Sequence, residues 1–234
     1  MLLNQTLTIM IKKIFNLAFI GLILSQCATP EKQEETTETM TPMQEKVAIY
    51  KNVQLTTDIS VLSDSEKQMI PLMIEASKIM DELFWFESYG QKDSLLATLT
   101  DPATKKYIQI NYGPWDRLDN NQPFLEGVSA KPAGANYYPA DMTKEEFEAA
   151  ELEGKSSLYT FIKRDDAGNL QVIPYREMFA DQVQRASELI LQCAELAEDE
   201  GLKNYLTLRA EALLTDEYHP SATSAGKGGH LQKC

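Results

Sequence analysis

The chain has 234 residues, enough for one large domain or one and a half small ones, and its 43% hydrophobic and 24% charged content is that of an ordinary globular protein. Its formal net charge of -13 repels phosphate backbones and anionic lipid, which argues against nucleic acid and charged membrane surfaces as partners. Three cysteines, Cys27, Cys193 and Cys234, form no disulfide framework.

The stretch MIKKIFNLAFIGLILSQC opens with Lys12 and Lys13 and continues as an apolar run from Ile14 to Leu24. That run is too short to span a bilayer as a helix and reads as an export signal. It ends in Leu24-Ser25-Gln26-Cys27, which looks like the site where a lipoprotein signal is cut before a cysteine. Residues 1–27 are therefore expected to be a lipoprotein signal peptide. Cys27 would be lipidated, anchoring the chain in the cell envelope, at the periplasmic face or the outer-membrane surface. Residues 28–46, rich in Glu and Thr and without apolar period, are expected to be a disordered acidic tether.

The folded part is expected from Val47, with Val47–Leu55 as a short strand or extended lead-in. Ser63 and Glu66 have the spacing of a capping box. Behind them Met69, Met73, Ala76, Met80 and Leu83 recur at helical spacing, which predicts an amphipathic helix to about Ser88, kinked or delayed by Pro71. A short helix follows over Ser94–Leu99. Another opens with Asp101 as cap and Pro102 at its first position, running towards Ile110.

The segment from Gly113 to Ala140 then breaks all periodicity. It is rich in Gly and Pro yet carries Trp115, Phe124, Tyr137 and Tyr138. Aromatic side chains bury enough area to hold a loop in place, so an ordered loop is expected here, not a linker. Its polar groups are those that grip a peptide backbone, and Trp115, Asp116, Arg117, Asn120, Asn136 and Tyr137 are the candidate substrate-binding residues. The competing reading is a packed structural loop whose Asn and Asp make turns.

Thr143 and Glu146 suggest a second capping box, with a helix ending by Gly154. Alternation over Ser157–Arg164 and Leu170–Ile173, around a turn at Asp165–Asn169, predicts one β-hairpin. Phe179, Val183, Ala186, Ile190, Cys193 and Ala197 predict a long helix from about Tyr175 to Glu200, with Cys193 buried as an apolar residue and Gly201 as the stop. A last helix from Leu202 to Thr215 completes a helical hairpin. Residues 217–234 have no period and read as an aberrant or frayed tail. The fold class is α+β, mainly helical.

Catalytic motifs are missing from the sequence. His219 and His230 are its two histidines, and no H-E-x-x-H, C-x-x-C pair, G-x-S-x-G, Walker-type loop or Nudix-type signature occurs. No residue is assigned a catalytic or metal-binding role.

The run from Leu55 to Leu214 nevertheless resembles the N-terminal part of the dipeptidyl peptidase III family of zinc hydrolases, in its bacterial lipoprotein branch. The likeness is carried by LTTDISVLSDSEKQMIPLMIEASKIMDELFW, INYGPWDRLDNNQPFLEG, KPAGANYYPADMTKEEF and SLYTFIKRDDAGNLQVIPY. It implies a peptide cleft between two lobes, with zinc held by two histidines of a His-Glu helix and a later glutamate, and the motif glutamate activating water. None of those ligands maps onto this sequence. Residues 47–216 would then be the N-terminal lobe of such a hydrolase. The expectation is a truncated portion that contributes scaffold to the cleft, with zinc and peptide substrate belonging to full-length relatives. The alternative is a stand-alone, membrane-tethered lipoprotein that binds a peptide or partner without catalysis.

Overall fold

A computed structural model describes residues 39–225, so the expected signal peptide, Cys27, most of the expected tether and the last nine residues lie outside it. The first helix among the described residues, α1 (Pro42–Ala48), falls where a tether and an extended lead-in were expected. Thr41 and Gln44 form a complete capping box and Pro42 stands in the first turn. The helix buries none of its residues, so it left no apolar period to read. Residues 51–59 beyond it have no regular secondary structure.

Helix α2 (Asp64–Ser88) starts where the Ser63–Glu66 box places it, each residue's side chain accepting from the other's backbone N–H at 3.1 and 2.8 Å. It runs on through Pro71 with no delayed start. Met69, Ala76 and Leu83 of its stripe are buried, whereas Met73 is exposed. Helices α3 (Lys92–Ala97) and α4 (Pro102–Asn111) follow, the second capped by the Asp101 carboxylate on the N–H groups of Ala103 and Thr104.

After the aromatic loop comes α5 (Lys144–Ala149), with half of the expected box. Thr143 accepts from the Glu146 N–H, but the Glu146 carboxylate turns to Arg164 at 2.8 and 3.0 Å. The hairpin strands, here β3 (Thr160–Arg164) and β4 (Leu170–Pro174), pair antiparallel with Ile162 opposite Val172. In its turn Gly168 takes φ +85°, while Asp165 accepts from the N–H groups of Ala167 and Asn169. Leu158 and Tyr159, expected within the strand, precede it.

The expected helix from Tyr175 to Glu200 is two helices, α6 (Tyr175–Met178) and α7 (Ala180–Leu196). The backbone leaves helical geometry at Phe179 (φ -124°, ψ 38°), whose ring is buried edge-on against Phe86, Phe161 and Tyr175. Helix α8 (Glu200–Thr215) begins before Gly201, which lies in its first turn and is no stop, because Asp199 caps it by accepting from the Leu202 N–H. The start of the supposed tail is also ordered. His219–Ala225 form α9 against α8, with Ser221 fully buried.

Among the described residues, those from 41 to 225 pack as one unit, and the architecture is mainly helical α+β with two small antiparallel sheets. Helices α7 and α8 form the helical hairpin, and α7 packs on α2. Ala186, Ala194 and Ala210 bring these helices close, and the Ser187 hydroxyl donates to the Ala210 carbonyl at 2.9 Å. Cys193 is fully buried, its sulfur 3.7 Å from the Met69 carbonyl. Burial pushes that thiol's pKa up, as befits an unreactive core residue. Among the described residues no helix is long and apolar enough to cross a membrane.

The larger core cluster gathers Leu83, Phe161, Phe179, Val183, Ala186 and Leu213. Phe161 lies at its centre with no exposed surface. Phe161→Ala is expected to cost about 3–5 kcal/mol, read as a lowered denaturant midpoint. An unchanged midpoint would contradict this packing.

Candidate functional site

The aromatic loop starts where α4 ends. Tyr112 takes a left-handed conformation (φ 54°), and its hydroxyl donates to Asp81 on α2. Gly113 follows at φ +148°, where a Cβ would sit 3.1 Å from the Trp115 ring. The loop then forms a two-stranded ladder of its own, β1 (Trp115–Asp116) and β2 (Gln122–Pro123).

Asp116 is buried and organises this end. Its carboxylate accepts from the Lys46 ammonium at 2.8 Å, the Tyr107 hydroxyl and the Leu118 N–H. Its carbonyl accepts from the N–H groups of Asp119 and Asn121. Burial alone would raise the carboxyl's pKa, but Lys46, Tyr107 and Leu118 together outweigh it and hold the pKa below the usual 3.8. The Trp115 ring is buried, with its indole N–H donating to the Ser129 carbonyl at 2.9 Å. Arg117 is exposed. Its guanidinium donates to the Ile110 carbonyl at 2.7 Å and lies over the Tyr112 ring. Its N–H donates to Asn111, a buried amide that sequence reasoning missed.

Asn136 and Tyr137 belong to a second set of contacts. The Asn136 N–H donates to the Glu87 carbonyl at 2.9 Å, and its side-chain amide donates to the Phe86 carbonyl at 2.7 Å. In return its carbonyl accepts from the Lys163 ammonium at 2.6 Å. The Tyr137 ring stacks on Phe161, and its carbonyl accepts from the Ile162 N–H. The phenols of Tyr137 and Tyr175 both donate to the Glu87 carboxylate. Burial, reinforced by Glu87, pushes both phenols above the usual tyrosine range, and burial pushes the Lys163 ammonium down. Glu87, Lys163 and Tyr175 were not singled out from the sequence. Glu87 follows a run of aromatics on a helix and Lys163 alternates within a strand, so neither carried a motif.

The six candidate residues thus fall into two groups with different partners. Trp115, Asp116, Asn136 and Tyr137 direct polar groups inward, to the protein's own backbone and to Lys46. Arg117 and Asn120 remain exposed. Asn120 lines a cleft of about 480 Å³ with Asn121, Gln122 and Lys131. A catalytic zinc needs about three protein ligands in open tetrahedral array. Among the described residues no three His, Cys, Asp or Glu side chains converge to hold a metal. The residues in view do not fit zinc.

The fold as a whole superposes on solved structures of dipeptidyl peptidase III. The structure of dipeptidyl peptidase III from Caldithrix abyssi superposes with a TM-score of 0.72 at 36% identity, over 77% of this chain and 36% of that one. That of dipeptidyl-peptidase III from Corallococcus sp. strain EGB gives a TM-score of 0.70 at 29% identity, over 78% of this chain and 36% of that one. Most of the chain is therefore a partial dipeptidyl-peptidase-III-like region. By sequence it is also 26% identical over 241 residues to Nudix hydrolase 3 of Arabidopsis thaliana, covering 76% of this chain and 31% of that protein. The chain spans about a third of the length of each of these relatives. No family model matches it.

The Asp116 pair yields a pH prediction. Because the folded carboxyl has a depressed pKa, its stabilisation is present above the unfolded value near 3.8 and is lost as pH falls through the lower folded value. Asp116→Asn is expected to destabilise the protein by about 2 kcal/mol at neutral pH, discounted because Lys46 is partly exposed. The gap to wild type should shrink below about pH 4, as followed by urea unfolding. Equal stability at neutral pH would contradict the assignment.

Proposed function

We propose that the chain is the N-terminal portion of an exported, zinc-dependent dipeptidyl-peptidase-like hydrolase, contributing scaffold to the substrate cleft without carrying the zinc motif. The observation behind this reading is the 36% identity and TM-score of 0.72 to a dipeptidyl peptidase III over 77% of the chain. In this reading the zinc and its ligands come from polypeptide outside the matched region, and the aromatic loop forms one wall of the peptide cleft. Trp115, Asp116, Asn136 and Tyr137 hold that wall in shape, while Arg117 and Asn120 face the substrate. Lipidated Cys27 anchors the chain in the cell envelope.

The exposed apolar surface supports the reading. Leu55 is 90% exposed, Val61 81% and Val53 72%, all within or beside the irregular stretch after α1. Side chains of this kind, gathered on one segment, suit burial against further protein. The occupant proposed is the remainder of the dipeptidyl-peptidase-III-like fold.

The test is to purify the full chain from membranes, alone and after co-expression with the rest of the Caldithrix abyssi enzyme. Alone it is expected to hold no zinc, release no dipeptides and self-associate, and Cys27→Ala should free it from the membrane fraction. Co-expressed, it should co-purify with the complement, and Leu55→Asp with Val61→Asp should weaken that pairing. Stoichiometric zinc and dipeptide release by the chain alone would overturn the scaffold reading. A stable monomer that unfolds cooperatively and ignores the complement would favour the stand-alone binding lipoprotein.

A further inference from the structure

The cleft beside the loop ladder is marked by a charge left without a counter-charge. Among the described residues several half-buried cations are satisfied by the protein's own acids or carbonyls, whereas Lys92 and Arg209 rest only on the Trp85 and Tyr218 rings and Lys105 has no carboxylate. Lys46 meets Asp116, Arg164 meets Glu146 and Arg176 meets Asp216, at 2.8 to 3.0 Å. Lys163 donates to the Asn136 carbonyl. Lys131 is also half-buried, yet among the described residues its ammonium has neither a carboxylate nor a hydrogen bond. It lies 5.7 Å from the centre of the Trp115 ring. The charge felt at Lys131 is the positive one of Arg117, which adds to burial in lowering the lysine's pKa. Arg117 itself has no carboxylate partner among the described residues. Two cations held near each other without an acid suit an anion brought from outside.

The rest of the cleft narrows what that anion belongs to. Its volume of about 480 Å³ suits a small ligand. Pro123 and Ala133 give small apolar walls. Asn120 and Asn121, held in left-handed conformations at φ 48° and 57°, present side-chain amides with no intramolecular hydrogen bond among the described residues. Amides that can both donate and accept match a peptide's backbone groups. A phosphate would favour a bidentate guanidinium fork or a row of backbone N–H groups. Here the Arg117 guanidinium is engaged with the Ile110 carbonyl, and a single ammonium lines the cleft.

We propose that this cleft binds the C-terminal carboxylate of a short peptide. Lys131 is its ion-pair partner, Arg117 adds a second positive charge at the rim, and the Asn120 and Asn121 amides meet the adjoining peptide groups. The proposal rests on the peptide-cleft reading above but not on zinc or on any complementing chain.

Calorimetric titration of the full chain with trialanine, trialanine amide and inorganic phosphate tests it. Trialanine should bind about ten-fold more tightly than its amide, the worth of one partly buried ion pair, and more tightly than phosphate. Lys131→Gln should remove that preference at an unchanged melting temperature, and Lys131→Arg should keep it. Equal binding of acid and amide, no binding of either, or a preference that survives Lys131→Gln would overturn the proposal. Phosphate binding as tightly as trialanine would mark a general anion site and overturn the peptide assignment. Zinc content and co-purification are separate readouts, so carboxylate binding can fail while the scaffold reading stands, and the reverse.

Discussion

The fully buried ring of Phe161 is the contact on which the remaining elements converge. Tyr137 from the loop stacks on it at 4.6 Å between ring centres. Phe86 from α2, Tyr175 from α6 and Phe179 from the break before α7 close around it at 6.2, 6.0 and 5.5 Å. One side chain on a two-stranded hairpin thus joins a long helix, an irregular loop and the start of the helical hairpin. An isolated two-stranded hairpin is marginal in water, so β3–β4 depends on this packing as much as the packing depends on it. The loop's far end inherits its order from the core. The bonds of Asn136 to Glu87, Phe86 and Lys163 can form because Tyr137 beside it is already fixed.

The near end of the loop is held by different physics. Asp116 is a buried charge that needs compensation, and it receives an ammonium, a phenol and a backbone N–H. The Lys46 contact draws α1 onto α4, where Tyr50 and Phe124 also meet the Tyr107 ring edge-on. Dispersion at one end and a satisfied ion pair at the other leave Asn120 exposed in the middle of the loop, with Arg117 and Lys131 resting on the Tyr112 and Trp115 rings and carrying no carboxylate partner among the described residues. That division suits a cleft wall. The polar groups that maintain its shape are consumed internally, and those left over are available to a ligand.

Much of this was legible wherever local chemistry and tertiary packing agree. The Ser63 box, the Asp101 cap with Pro102, the hairpin turn at Gly168 and the buried stripe through Cys193 are all short-range signals, and each sits where its spacing places it. Helix α1 escaped notice because it docks by an ion pair seventy residues away and buries no side chain of its own. The break at Phe179 escaped because the apolar period continues through it, and only the pull of the aromatic cluster diverts the backbone. Gly201 resembles a stop because it follows an apolar run, while the cap at Asp199 lies two residues earlier. In the site, residue types pointed to polar contacts, but the direction of those contacts is a tertiary property. Asp116 and Asn136 bond inward to Lys46 and to the backbone of α2, and Lys131 carried no signal because a lone lysine in a loop is ordinary.

Native-state hydrogen exchange at the Asn136 and Ile162 amides tests the central claim, that the loop is an extension of the core. If the loop is clamped as described, both amides should exchange only through global unfolding, at the protection of buried amides in α7. Exchange at both amides near the rate of an open chain, while α7 stays protected, would mean that the loop moves independently and cannot serve as a fixed wall of the cleft.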